Sequence, residues 1–146
     1  MPDQETLERA REDAREGKSP STQAGEFVRE EMHHVREGKH GAKSAKQVVA
    51  IGLSKARRAG VKLGTPKGSA STKQKAAQDT RAAKKRTGKK STKRSRATTN
   101  ALKREPRSAA SHRAVSRQAK SAAARRGKQN RSKAAMKAAQ TRKRAA

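Results

Sequence analysis

Ser44-Ala45-Lys46-Gln47-Val48-Val49-Ala50-Ile51-Gly52-Leu53-Ser54-Lys55-Ala56-Arg57-Arg58-Ala59-Gly60 is the stretch whose reading decides the fold. Ser44 and Gln47 have the capping-box spacing, in which the serine hydroxyl and the glutamine side chain each satisfy a free backbone N–H. Ala45, Val48, Val49, Gly52, Leu53, Ala56 and Ala59 then share one face at the helical period. Gly52, at the centre of that face, permits a close approach by a neighbouring helix. Lys55, Arg57 and Arg58 fill the last turn, where cations suit the helix dipole, and Gly60 stops it. Val61 follows where a Schellman motif places its apolar contact. The spacing predicts a helix over 44–59.

Upstream, two more helices are punctuated. Residues 4–16 are good helix formers, with Glu5 four residues before Arg9 and Gly17 as the stop. Their apolar content is Leu7, Ala10 and Ala14, too little to hold a helix alone. Ser19-Pro20 supplies a cap and a first-turn proline for a second helix over 20–37, ended by Gly38. Ala24, Phe27, Val28, Met32 and Val35 form its stripe, and Glu31 falls inside it, so this carboxylate must meet a cation or lie at the edge of the contact. Arg15-Glu16-Gly17-Lys18-Ser19 and Arg36-Glu37-Gly38-Lys39-His40 are two copies of one stop signal. Residues 1–65 therefore read as a three-helix head with a marginal core.

Downstream the composition changes at Thr65-Pro66-Lys67-Gly68. Of the net charge of +28, residues 1–37 carry −4, residues 38–66 carry +7 and residues 67–146 carry +25. Residues 66–146 are a low-complexity basic tail of Ala, Lys, Arg, Ser, Thr, Gln and Gly. Helix propensity is high over 71–86, 92–104, 107–126 and 131–144, separated by Gly88, Pro106 and Gly127. With no apolar stripe beyond alanine and with like charges unneutralised, the tail is expected to be largely disordered until its charge is met. The fold class is thus mainly α, a small helical head with a long basic tail.

Such a polycation points to nucleic acid. Lys84-Lys85-Arg86, Lys89-Lys90, Lys93-Arg94-Ser95-Arg96, Arg125-Arg126-Gly127-Lys128 and Arg142-Lys143-Arg144 are its densest clusters, and Arg57 and Arg58 of the head join the set. Cations near phosphates release condensed counterions, which gives affinity without reading bases. The one aromatic residue, Phe27, lies outside the tail, so the tail has no stacking platform for single strands. Duplex DNA is the favoured partner by charge density, and RNA is the next. A second reading makes the head a protein-interaction module, able to self-associate through Phe27, Met32, Val49 and Leu53, with the tail anchoring it to RNA or another polyanion. The acids of residues 3–37 would also be free to fold back on the tail.

Other chemistry lacks a framework. The chain has no cysteine, no phosphate-binding glycine loop and no Ser/His/Asp arrangement, so neither an enzyme nor a small-molecule substrate or cofactor is expected. His33, His34 and His40 lie near Glu30 and Glu37, but adjacent histidines point apart on a helix, and no metal is expected there. Lys46, Gln47, Ser54, Arg57 and Arg58 would face outward in a helix-turn-helix, yet the connection from Gly38 to Lys43 is long for one. The acidic start lacks a secretory pattern, and Val48 to Leu53 is too short an apolar run for a membrane; the expected address is the cytoplasm, at the nucleoid.

Arg36-Glu37-Gly38-Lys39 through the IGLSKARRAGVKL stretch of residues 51–63 resembles a small bacterial domain family of unknown function, over about residues 1–65. The tail is similar to the Ala/Lys-rich tails of bacterial histone-H1-like proteins, although Lys and Arg are equal here at 20 each and no proline follows Pro106. These resemblances imply a bacterial source and a histone-like tail.

Overall fold

The computed structural model describes residues 2–84 and 91–145, and over these the chain is mainly helical. The helices are α1 (Gln4–Arg15), α2 (Pro20–Arg36), α3 (Ala45–Arg58), α4 (Ala70–Lys84), α5 (Thr92–Lys103) and α6 (His112–Ala145), with a 3₁₀ turn at Arg107–Ala110. Their ends are where local chemistry puts them. Ser19 Oγ accepts the Thr22 N–H at 3.4 Å, and Ser44 Oγ accepts the Gln47 N–H at 3.3 Å. The return bond of the capping box is shifted by one residue: Gln47 Oε1 accepts from the Lys43 N–H, not from Ser44. The repeated stop signal gives one structure twice. Gly17 and Gly38 take φ values of +72° and +78°, which a side chain would resist. The next residues, Lys18 and Lys39, donate back to Asp13 and His34, closing Schellman motifs.

Two apolar clusters hold α1, α2 and α3 together. Ala10, Ala24, Phe27 and Ala56 form one, flanked by Leu7, Leu53, Val61 and Leu63. Val35, Ala42 and Val48 belong to the other, with Met32 against them. Between α2 and α3 the backbones nearly touch at Gly52, where an added Cβ would stand 2.6 Å from Val28 Cα. Ala10, Ala24, Ala42, Ala56 and Gly52 share these contacts with larger apolar residues, and their small size lets the helices pack closely.

An ionic cluster lies in the same interface. Glu30 and Glu31 are 5% and 1% exposed, and Lys55 of α3 reaches both, 2.8 Å from Glu30 Oε1 and in ion-pair contact with Glu31 Oε1. The Asp3 backbone N–H donates to Glu30 Oε2 at 3.1 Å, and the buried Thr6 of α1 lies beside it. Burial pushes the Glu30 carboxyl up, but Lys55, the Asp3 N–H and Thr6 outweigh it and hold it below the ordinary carboxylate range. Burial likewise pulls the Lys55 ammonium down, and Glu30 and Glu31 return it above its ordinary value. Glu31, placed in an apolar stripe, shares the ammonium of Lys55 with Glu30.

The tail departs from the expectation of disorder. α4 packs on α3, burying Ala76 and Asp79. Ser54 Oγ donates to Asp79 Oδ2 at 2.6 Å, and Lys75 Nζ donates to Oδ1 at 3.2 Å. Further on, the Gly41 N–H donates to the Leu102 carbonyl and the Ala42 N–H to that of Pro106. Ala109 and Ala110 then enter the cluster of Val35, Ala42 and Val48, and Arg36 Nε donates to the Ala110 carbonyl at 2.8 Å. Composition hid this because alanines that complete a core look the same in sequence as alanines that only favour a helix.

Two substitutions weigh these contacts. Lys55→Met leaves two buried carboxylates without their ammonium, and urea denaturation should show a loss of about 3–5 kcal/mol. At Gly41 an added Cβ would fall 1.8 Å from the Glu105 carbonyl oxygen. Gly41→Ala should therefore displace residues 102–110 from the head and cost about 1–3 kcal/mol, read as a lower urea midpoint; a chain ending at Pro66 should lose stability in the same sense.

Candidate nucleic-acid interface

Each basic cluster can now be placed. Lys84 ends α4 and is exposed, whereas Lys85, Arg86, Lys89 and Lys90 lie outside the described residues. Lys93, Arg94 and Arg96 occupy the first turns of α5, all exposed. Three cations at a helix start oppose the helix dipole, so this end gains most from a nearby anion. Ser91 Oγ caps the helix by accepting the Arg94 N–H at 3.4 Å.

The remaining clusters belong to α6. Arg125 and Arg126 precede, and Lys128 follows, a break at Gly127, which has φ 72° and ψ 160°. Asn130 and Arg131 donate across the break to the carbonyls of Arg126 and Ala123, at 2.9 and 2.8 Å. The break expected at Gly127 is present: its non-helical backbone divides α6 into two helical parts, which the Asn130 and Arg131 side chains tie together. Arg142, Lys143 and Arg144 form its exposed last turn, where cations suit the dipole.

The head arginines behave differently. Arg57 is buried, and its Nη2 donates to the Gly64 carbonyl at 3.4 Å, so it is turned into the head and away from any external phosphate. Arg58 is exposed but folds along its own helix, donating to the Ser54 carbonyl and hydroxyl, and lies 3.6 Å from Asp79. The sequence grouped both with the phosphate-binding cations; α4 packs on α3, and its Asp79 pairs with Arg58 while Arg57 is held by Gly64.

Sequence clusters also missed a row. In the first part of α6, Ala114, Val115, Gln118 and Ala122 are half-buried, and this part begins against α3 and the 3₁₀ turn. Arg113, Arg117 and Lys120 are exposed on the opposite face. They are never adjacent in sequence, so a search for contiguous cations passes over them; their spacing of four and three residues along one helix would have found them.

The acids are distributed so as to leave this surface basic. The two carboxylates of the tail both face the head: Asp79 against Ser54 and Arg58, and Glu105 at 3.9 Å from Lys43. Head acids pair within the head, Asp13 with Lys18 at 2.8 Å and Glu26 with Arg9 at 2.7 Å. Hydrogen bonds that Arg9 and Lys18 donate to these carboxylates raise both above their ordinary values. Among the described residues no acid of 3–37 pairs with a tail cation, so the fold-back of the acidic segment is not seen, and Lys75 is the one tail cation within ion-pair distance of a carboxylate. No described helix is long and apolar enough to cross a membrane. Comparison with family models, with curated proteins and with solved structures finds no match to the chain.

The placement separates two kinds of arginine. Arg57→Gln should lower stability by about 1 kcal/mol in urea and leave the salt dependence of polyanion binding unchanged. Changing Arg113, Arg117 and Lys120 together to glutamine should leave helicity intact by circular dichroism and reduce that salt slope by about 3.

Proposed function

We propose that this protein binds nucleic acid, most favourably duplex DNA, by sequence-independent contacts from its tail cations to phosphates, and that the helical head is the platform from which the tail is held. The observation that carries this reading is the distribution of acids. Twenty-seven bases follow residue 66, and the two acids among them are turned toward the head. The cations of α5 and α6 are left facing solvent without carboxylate partners among the described residues. A charge density of this kind attracts the polymer with the densest phosphate spacing.

Phe, Tyr and Trp are absent from the tail sequence, which counts against preferential binding of single strands. Recognition of base edges needs a rigid element fitted to a groove, and Arg57, one of the residues a helix-turn-helix would use, is buried. The reading is therefore phosphate binding without base reading, as in the histone-H1-like tails that this tail resembles, with the nucleoid of a bacterial cytoplasm as the proposed address. An interaction module in the head receives less support. Phe27 is fully buried, and Met32 and Leu53 are packed against the two core clusters, so most of the stripe that a partner would cover is already covered.

Fluorescence anisotropy with a labelled duplex tests the proposal. If about ten phosphates are contacted, raising salt fourfold should weaken binding by about five orders of magnitude. Equal affinity for unrelated sequences is expected, with duplex DNA above duplex RNA and both above single strands in competition. Absent or salt-insensitive binding would overturn the reading, and a clear preference for RNA would move the partner from DNA to RNA.

A further inference from the structure

The geometry points to a divalent transition-metal site, of the zinc class, formed by Glu31, His34 and His40 at the turn between α2 and α3. Their ligand atoms lie within 4.8 Å of one another. Glu31 and His34 are one helical turn apart on α2, and His40 arrives from the connection that follows, past the stop at Gly38. His34 Nδ1 is 3.4 Å from Glu31 Oε1, and His40 Nε2 is 3.1 Å from Glu31 Oε2. His33, the neighbour that the sequence offers equally, is exposed on another face. A carboxylate with two imidazoles is a donor set suited to zinc and its neighbours, with room for one further ligand.

The far nitrogens of both rings fix what the near ones present. His40 Nδ1 lies 3.0 Å from the Gly41 carbonyl, an acceptor, so this nitrogen carries the hydrogen. His34 Nε2 lies 3.3 Å from the Asp3 carboxylate, so it too carries its hydrogen. In neutral imidazoles of these tautomers, His40 Nε2 and His34 Nδ1 each aim a lone pair at Glu31. The two nitrogens and the Glu31 carboxylate then converge on one point, within ligand reach of a single cation. The outer contacts to Asp3 and to a backbone carbonyl are those by which metal-bound histidines are usually oriented.

Charge and burial lead to the same place independently. Glu30 and Glu31 are both buried, and the single ammonium of Lys55 serves both. Lys55 Nζ donates to Glu30 Oε1 at 2.8 Å and is also in ion-pair contact with Glu31 Oε1, so one positive charge is shared by two carboxylates. Glu31 Oε1 is buried without a hydrogen bond. One negative charge of the pair is left over, and uncompensated buried charge is costly. A metal ion on Glu31, His34 and His40 would supply the missing charge and tie α2 to the segment whose Gly41 and Ala42 hold residues 102 and 106. Its role is structural: it would fasten the loop on which the tail is docked.

The test is a titration of the full chain, freed of metal and nucleic acid, with Co²⁺ followed by Zn²⁺. One equivalent of Co²⁺ should give a visible d–d band that Zn²⁺ removes, and Zn²⁺ should raise the melting temperature. His34→Ala and His40→Ala should each weaken binding at least tenfold and abolish the thermal shift. His33→Ala and His112→Ala should leave both unchanged. Asp3→Asn should weaken binding about 10–100-fold, as a lost orienting contact does. Should an alanine variant lose helicity, His40→Gln, which keeps a polar group at the turn, replaces it with the same expected loss. No binding at micromolar metal, or binding that survives loss of His34 and His40, overturns the site.

Discussion

Two carboxylates and one ammonium between α2 and α3 are the constraint under which the head is assembled. Glu30 and Glu31 are adjacent on α2, so both can be buried only if a cation comes to them from another element. Lys55 comes from the last turn of α3, which fixes how far α3 can slide or rotate along α2. Gly52, one turn earlier, lets the backbones approach closely enough for the lysine to reach. On the outer side Asp3 and Thr6 bring the start of α1 to Glu30. Apolar packing supplies most of the burial, yet it is alanine-rich and would tolerate sliding; the charged pair would not.

Much of this arrangement was legible in sequence because its signals are local. Ser19, Ser44, Gly17, Gly38 and Gly60 act within one turn of themselves, so the limits of α1, α2 and α3 follow from capping chemistry and lie within a residue or so of expectation. Glu31 was visible as a carboxylate in need of a cation, but Lys55, which is 24 positions away, was read only as a dipole partner of its own helix. Long-range pairing of this kind has no sequence period. The same limit applies to Ala109, Ala110 and Asp79: nothing local distinguishes an alanine that fills a core from its neighbours, or an aspartate that docks a helix from one that is solvated.

The basic surface was legible in amount and less so in arrangement. Net charge and its placement in the chain survive any fold, so the weight of the tail could be read directly. Which cations face outward depends on helical phase and on what the helix packs against. Arg57 lies under α4, while Arg113, Arg117 and Lys120, dispersed in sequence, share an open face. Division of the chain into an ordered head and a separate tail was also too sharp. Asp79, Glu105 and the two alanines of the 3₁₀ turn make the tail a structural part of the head at two points, before α6 leads away from it.

The bend at Gly127 has a geometric consequence of its own. A straight helix of 34 residues would be a rod about 50 Å long. Two rigid cylinders that cross can touch at one place only, however many charges either of them carries. With a bend near its middle, α6 becomes two shorter rods set at an angle, and each can lie tangent to the same curved surface. The glycine therefore sets the number of separate places at which this segment of the chain can meet a cylinder.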